Sequence, residues 1–253
     1  MRWNGGVQRA ECKGFSANHV NALREMIARN LSVPHRFICV TDDSRNLDPD
    51  VHVVPLPGEF QRLGGTYPKL FLFSRQCRES LAERFLYIDL DTVIVGPLDP
   101  LLPDDTVDFM VHGKPVDHTI WELIRSRRKR RQRKFYRYGI KFNGAVMYMR
   151  AGAHAHVLER FSEAEAARVR RHFQVAGDDQ LWVQHCLGHH EKTWNTASGI
   201  YSYGSDLAGK KRGRKPDNAR IINFGGKYAP WFDDVLKASP WIRDYYPMHR
   251  LGR

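Results

Sequence analysis

The chain has 253 residues, of which 42% are hydrophobic and 11% aromatic. This provides enough apolar material for one large α/β domain and excludes an intrinsically disordered chain. No run of 18 apolar residues is present, which excludes a membrane-spanning helix. Four widely spaced cysteines without a Cys-x-x-Cys pair indicate reduced thiols in a cytoplasmic protein rather than a zinc site.

The first half of the chain alternates helical and extended patterns. A helix is predicted over 16–30, because Val20, Leu23 and Ile27 recur at helical spacing and Ser16 can cap its start. The following elements are strands at 36–41 and 51–56, a loop at 58–66, a helix over 67–83, and a strand at 85–89 that continues extended through 92–95.

The second half continues the alternation. Its predicted elements are strands at 108–111, 143–149 and 220–224 and helices over 153–172 and 178–186. Strands that alternate with helices predict an α/β fold with a mostly parallel central sheet flanked by helices. In such sheets, ligands bind beyond the carboxyl ends of the strands.

Two carboxylates follow the apolar strand at 85–89. In an extended chain, Asp89 and Asp91 point to the same side and can converge on one point. Two converging anions repel each other unless a cation lies between them, and Mn²⁺ or Mg²⁺ prefers carboxylate oxygens. An Asp-x-Asp triplet alone is a weak signal, and a surface turn is the alternative, but the preceding apolar strand favours a metal site.

The sequence around this triplet is specific. The run 87–95, followed by Leu98-Asp99-Pro100, resembles the Asp-x-Asp region of GT-A glycosyltransferases, above all the glycogenin-like family 8 enzymes and their bacterial and viral relatives. Further similar segments occur in family order at 20–43, 67–70, 142–147, 177–180 and 223–231. The resemblance implies a single GT-A domain over 1–253 with basic insertions at about 125–137 and 208–217. It also implies hexosyl transfer, with retention, from a nucleotide-diphosphate sugar such as a UDP-sugar.

The resemblance also implies roles for individual residues. Asp89 and Asp91 would bind Mn²⁺ or Mg²⁺ and the donor diphosphate, and Lys69 would contact the donor. The residues expected to face the donor sugar and the acceptor are Asn143, Asp179 and Gln180. The residues expected near the nucleoside are Trp3, Asn4 and Phe15.

The last motif departs from the family in two places. Asn223 stands where the family has a metal-binding histidine, and Ala229 stands where it has a lysine that holds the diphosphate. Asn223 could still be the third metal ligand, and Lys227 could supply the missing charge. Asp179 is the best carboxylate for a nucleophile or for a stabiliser of oxocarbenium-like charge, and front-side attack is equally open.

The net charge of +12 is concentrated in two short segments. Residues 125–137 hold nine Lys and Arg and residues 210–215 hold five, with no acidic residue in either. Their candidate nucleic-acid contacts are Arg127, Arg128, Lys129, Arg130, Arg131, Arg133, Lys134, Lys211, Arg212, Arg214 and Lys215. Aromatic residues follow the first run, and the second resembles the core of AT-hook peptides, so we expect a DNA acceptor such as a hydroxymethylated base. Such a base would have to flip out of the stack to react.

Two other readings of the basic segments remain open. The first is a bacterial transferase for lipopolysaccharide or capsule precursors, in which the basic residues meet an anionic glycolipid. The second is a nucleic-acid-binding module on an inactive transferase scaffold. The sequence contains no feature that requires an obligate protein partner.

Overall fold

The computed structural model describes residues 14–115, 140–174, 179–188, 190–207, 209, 213–225 and 227–251. Trp3, Asn4, Lys211, Arg212 and the basic run 125–137 lie outside this range. The described strands are β1 Ile38–Thr41, β2 His52–Pro55, β3 Arg84–Ile88, β4 Thr92–Ile94, β5 Phe109–Pro115, β6 Ile140–Arg150, β7 Lys192–Trp194, β8 Ile200–Ser202 and β9 Ile221–Asn223.

These strands form three small sheets. Strands β1 and β2 pair with each other, a second sheet has the order β3-β6-β5-β7, and a third has the order β4-β9-β8. The α/β class is confirmed, but the expected mostly parallel sheet is wrong in this detail. Among the described strands, three pairings are parallel and three are antiparallel. The long strand β6 causes the difference, because it runs antiparallel to both of its neighbours, β3 and β5.

Helices and short 3-10 turns surround the sheets. The α-helices are α1 Ala17–Asn30, α2 Gly58–Gln61, α3 Cys77–Ser80, α4 His156–Glu159, α5 Glu163–Phe173, α6 Asp179–Leu187, α7 Tyr203–Asp206, α8 Asp233–Ala238 and α9 Ile242–Tyr245. The 3-10 turns are Tyr67–Phe73, Asp99–Leu101, Thr196–Ser198 and Met248–Leu251. Helix α1 agrees with its prediction: it buries Val20 and Leu23, and the Ser16 N–H donates to His19 Nδ1 at 2.9 Å.

Two predicted helices are wrong as single elements. The segment predicted as one helix over 67–83 is a 3-10 turn, a break at extended Ser74, and the short α3. All seven residues of the 3-10 turn are buried, so tertiary packing on every side replaces the one-sided pattern of an amphipathic helix. The helix predicted over 153–172 divides into α4 and α5 because Ser162 is extended and caps α5, accepting from the Glu165 N–H at 3.2 Å.

The hydrophobic core lies in two clusters on different parts of the sheets. One packs α1 against β4 and β9, and the other packs the 3-10 turn Tyr67–Phe73 against β6 and α6. An apolar cavity of about 330 Å³ lies between α1, β1 and β3. None of the described helices combines the length and the apolar character needed to cross a membrane. The carboxyl end of β3 therefore emerges between two packed clusters, and the candidate site lies there.

Candidate active site

The centre of the site is a buried lysine held between two aspartates. The Lys69 ammonium lies 3.0 Å from Asp89 Oδ1 and 3.3 Å from Asp179 Oδ2. It also donates to the Gly144 carbonyl oxygen at 3.4 Å. Three N–H donors thus have three acceptors within the protein. The lysine side chain is 7% exposed, whereas the Asp89 side chain is 27% exposed and can meet a ligand.

Burial and charge together fix the protonation of this centre. Burial is the largest influence on the Lys69 pKa and lowers it, but the charges of Asp179 and Asp89 outweigh burial and raise the pKa well above its usual range. Burial, followed by the charge of Asp89, raises the pKa of Tyr87 well above its usual range. Lys69 is therefore a stable cation, and the Tyr87 hydroxyl remains protonated and donates to Asp89 Oδ1 at 2.5 Å.

Asp179 begins helix α6 and is held from two sides. The Thr66 hydroxyl donates to Asp179 Oδ1, and the Asp179 N–H donates to Thr66 Oγ1 at 3.3 Å. A Cβ at Gly144 would lie 3.1 Å from Asp179 Oδ2 and 3.7 Å from the Gln180 Cβ. Only glycine lets strand β6 pass this close to the carboxylate without displacing it.

The strand predicted to continue extended from 85 to 95 is interrupted at the Asp-x-Asp triplet: β3 ends at Ile88, and Leu90 and Asp91 form a turn before β4. Asp89 and Asp91 are half-buried, and Leu90 between them is buried in the core. Backbone hydrogen bonds hold both ends: the Asp89 N–H donates to the Ala145 carbonyl oxygen at 2.8 Å, and the Phe224 N–H donates to the Asp91 carbonyl oxygen at 2.9 Å. The triplet thus connects β6 with the strand that carries Asn223.

A second polar cluster surrounds Asn143. Its Nδ2 donates to Ser202 Oγ at 3.1 Å and to Asn223 Oδ1 at 3.3 Å. Asn223 is 2% exposed, and the Ser202 hydroxyl also donates to its Oδ1 at 3.0 Å. The Asn223 oxygen therefore already has two hydrogen-bond donors. His112, also buried, places its Nδ1 3.2 Å from Asn223 Nδ2.

Aromatic residues from the two ends of the described chain meet beside β9. Phe15 and Trp231 pack edge to face with ring centroids 6.0 Å apart, and His19 packs against Trp231 at 4.3 Å. Lys227 is exposed, with its Nζ 5.4 Å from the centroid of the Tyr228 ring. Lys227 thus lies on the segment that follows Asn223, and Phe15 packs against Trp231 of the same segment. Ala229, between Lys227 and Trp231, is fully buried.

The first basic segment, 125–137, lies outside the described residues, and the second is described only at 213–215. Arg214 pairs with Asp217 at 3.1 Å with both side chains exposed, and Lys215 lies 5.6 Å from the Tyr245 ring centroid. Strands β5 and β6 pair antiparallel up to Pro115 and Ile140, the described residues on either side of 116–139. Residues 116–139 therefore join two strands that carry His112 and Asn143, the second polar cluster of the site.

The metal-binding capacity of the site rests on its carboxylates. Within the described ranges, no group of three or more His, Cys, Asp or Glu side chains is arranged to hold a metal ion. Asp89 and Asp91 offer the hard oxygen ligands that suit Mg²⁺ and Mn²⁺. Magnesium sites commonly use one or two carboxylates together with substrate phosphates, so this donor set fits such an ion bound with a diphosphate.

Several residues of the site were not predicted from the sequence. Tyr87 could have been found, because it precedes Asp89 by two residues and shares its face of β3. Thr66, His112 and Ser202 gave no local signal, since their partners lie between 21 and 113 residues away along the chain. Gly144 is essential here for a close approach that only the fold reveals.

Solved glycosyltransferases share this architecture. The galactosyltransferase LgtC, determined with donor and acceptor sugar analogs, matches with a TM-score of 0.57 at 12% identity over 90% of this chain and 92% of LgtC. The apo glycosyltransferase GlyE of Streptococcus pneumoniae matches with a TM-score of 0.51 at 12% identity over 91% of this chain and 61% of GlyE. No protein-family model and no curated protein matches the sequence. The expected GT-A fold is confirmed.

Proposed function

We propose that this protein is a metal-dependent glycosyltransferase that moves a hexose from a nucleotide-diphosphate sugar, a UDP-sugar, to a hydroxyl acceptor. The observation that carries the proposal is the Lys69–Asp89–Asp179 cluster at the carboxyl end of β3, with Asp91 next to it. Clustered ionisable groups in a partly buried site are typical of catalytic centres. The GT-A fold raises the expectation by analogy.

The carboxylates of Asp89 and Asp91 would hold Mn²⁺ or Mg²⁺. When bound, such an ion neutralises the charge that develops on a leaving diphosphate. Lys69 cancels only part of the negative charge of the two aspartates that it contacts, so the site still favours a cation. We assign Lys69 to fixing the two carboxylates, because its three donors are already used within the protein.

Asp179 and Gln180 would act at the sugar. Both oxygens of Asp179 have protein donors, which favours a fixed charge that stabilises oxocarbenium-like character over a nucleophile. Transfer would then proceed with retention by front-side attack. A glutamine belongs to the active site of LgtC, where a glutamine-to-glutamate variant has been solved. Gln180, adjacent to Gly144, is our candidate for an equivalent role.

The nucleoside would lie near the aromatic cluster of Phe15 and Trp231. Trp3 and Asn4, which lie outside the described residues, remain candidates for nucleoside contacts by the order of the family motifs. Lys227 is exposed four residues before Trp231 and could meet the diphosphate. These assignments follow the order of the family motifs. They place the donor between the aromatic cluster and the two aspartates.

For the acceptor we favour DNA that carries a hydroxymethylated base. The support is the charge of 125–137 and 210–215 and the point at which the first segment joins the fold. The connection 116–139, which contains this segment, follows β5 three residues after His112 and enters β6 three residues before Asn143. A polycation attached there would bring a polyanion to the donor sugar. An anionic glycan acceptor is the second candidate, favoured by the acceptor sugar analog bound to LgtC.

One set of assays tests the proposal. Hydrolysis and transfer would be measured with UDP-glucose, UDP-galactose and UDP-N-acetylglucosamine, with Mn²⁺ or EDTA. Hydroxymethylcytosine DNA and lipopolysaccharide would serve as acceptors. We expect EDTA and Asp91→Asn to abolish activity, while Asp105→Asn, at a side chain 97% exposed, leaves it unchanged. Full activity in EDTA would refute the metal-dependent reaction, and transfer to lipopolysaccharide but never to DNA would replace the DNA acceptor by a glycan. Binding of Mn²⁺ and DNA without hydrolysis of any donor would indicate an inactive scaffold.

A further inference from the structure

A buried polar relay lies behind the half-buried side chain of Asn143. It consists of His112 on β5, Asn223 on β9 and Ser202 on β8, which are 1%, 2% and 7% exposed. Burying three polar side chains together is unfavourable unless their hydrogen bonds are satisfied. The hydrogen bonds of this group all donate in one direction, from Asn143 toward His112.

The relay starts at His112. Burial, followed by the charge of Lys114, lowers the pKa of His112 to about 4, so the ring is neutral at physiological pH. Its Nδ1, 3.2 Å from Asn223 Nδ2, can then accept a hydrogen bond. Asn223 Nδ2 also donates to the Tyr201 carbonyl oxygen at 2.9 Å. Both acceptors lie on the amino side of the amide, which fixes its orientation.

The orientation of Asn223 determines that of Asn143. The Asn223 oxygen faces the Ser202 hydroxyl at 3.0 Å and Asn143 Nδ2 at 3.3 Å. The second hydrogen of Asn143 Nδ2 meets Ser202 Oγ at 3.1 Å. Within the described residues, Asn143 Oδ1 then accepts a hydrogen bond only from the Ala145 N–H, at 3.1 Å. An amide oxygen has two lone pairs, so one acceptor position of this half-buried side chain remains for a ligand.

We propose that His112 and Asn223 are positioning residues that hold Asn143 with its oxygen toward the donor, where it accepts a hydrogen bond from a hydroxyl of the sugar. In this arrangement Asn223 is no metal ligand. The proposal rests on the proposed glycosyl transfer, since it assigns the sugar-binding side of that same site. It also predicts that Mn²⁺ is held by Asp89 and Asp91 with the donor diphosphate alone.

Asn223→Asp separates the two roles of this position, because they predict opposite results. The carboxylate would close the metal shell if Asn223 were a ligand, and Mn²⁺ in the presence of UDP should then bind at least tenfold tighter. As a positioning residue, the same variant loses the Nδ2 donors to His112 and Tyr201. We expect Mn²⁺ affinity, measured by electron paramagnetic resonance with UDP present, to stay within twofold of the unmodified protein. Tightening of tenfold or more would overturn the proposal.

The pair His112→Phe and His112→Gln tests the relay without touching Asn223. Phenylalanine removes the acceptor, whereas glutamine retains a carbonyl oxygen that can replace Nδ1. We expect His112→Phe to weaken binding of the intact UDP-hexose that the unmodified protein hydrolyses by about tenfold, the effect of one hydrogen bond. Binding of UDP with Mn²⁺ should stay unchanged, and His112→Gln should recover most of the loss.

The readouts distinguish failure of the relay from failure of the proposed function. Equal affinity of His112→Phe and the unmodified protein for the UDP-hexose would overturn the relay, as would equal loss of UDP and UDP-hexose. Circular dichroism melting identifies a temperature at which both His112 variants are folded, and all affinities are compared there. If the unmodified protein binds neither UDP nor a UDP-hexose with Mn²⁺, the glycosyltransferase proposal itself is wrong.

Discussion

The clearest test of the site's electrostatics is Lys69→Met, which removes the ammonium and keeps the length of the side chain. Lys69 is 7% exposed, and its partners Asp89 and Asp179 are 27% and 10% exposed. Removing one partner of a buried ion pair typically costs 3–5 kcal/mol, because the remaining charge stays desolvated. Asp89 is partly solvated, which reduces the effect, so we expect a loss of about 3 kcal/mol in the free energy of unfolding at pH 7.

The assay is urea unfolding followed by tryptophan fluorescence and by circular dichroism. Arg214→Met is the matched control, since it breaks an ion pair whose side chains are 82% and 86% exposed. The control should change the free energy of unfolding by less than about 0.5 kcal/mol. The double variant Lys69→Met with Asp179→Asn should recover at least about 1 kcal/mol, because it removes the more buried of the two charges left without a partner. If Lys69→Met costs no more than the control, the ion pairs do not stabilise the fold and our account of the centre fails.

Three further predictions follow from individual contacts. Gly144→Ala places a Cβ 3.1 Å from Asp179 Oδ2 and should lower kcat at least tenfold. The control Gly58→Ala, whose Cβ would be 3.8 Å from the nearest atom, should leave kcat unchanged. Equal kcat values for the two variants would refute the close-approach argument. Because the pKa of His112 is about 4 when folded and about 6.5 when unfolded, its contribution to stability is complete above pH 6.5 and falls as the pH approaches 4. Relative to His112→Gln, the protein should therefore lose about 2 kcal/mol between pH 7 and pH 5 in urea unfolding, and parallel curves would contradict a buried neutral histidine. Ser162→Ala removes the cap of α5 and should cost about 1 kcal/mol in the same assay, while no change would favour one continuous helix.

Local patterns in the sequence predicted what local forces determine. Helix α1 followed from apolar residues at helical spacing. The convergence of Asp89 and Asp91 stays a prediction, because a turn at Leu90 and Asp91 replaces the extended chain on which it was based. The prediction of one helix over 153–172 overlooked a local signal, since Ser162 precedes Glu165 by three positions in a capping pattern. Strands β7 and β8 were missed because three residues are too few to show a period.

Long-range contacts could not be predicted in the same way. The sequence indicated that Lys69 belongs to the donor site, but its ion pair with Asp179 joins residues 110 positions apart in the fold. The antiparallel course of β6 depends on which neighbours it meets, and its apolar sequence is compatible with either direction. The polar relay of His112 and Asn223 likewise exists only once β5 and β9 are brought together.

The two positions that depart from the family motif are both buried. Asn223 and Ala229 are 2% and 0% exposed, so a charged side chain at either position would be desolvated. An asparagine can satisfy all of its hydrogen bonds in such surroundings, and an alanine has none to satisfy. In the proposed reaction, positive charge for the diphosphate would come from an exposed side chain, and Lys227 lies two residues before Ala229 on the same segment. We therefore propose that Lys69 supplies fixed charge and Lys227 supplies charge directed at the ligand, and the variants above measure the first of these directly.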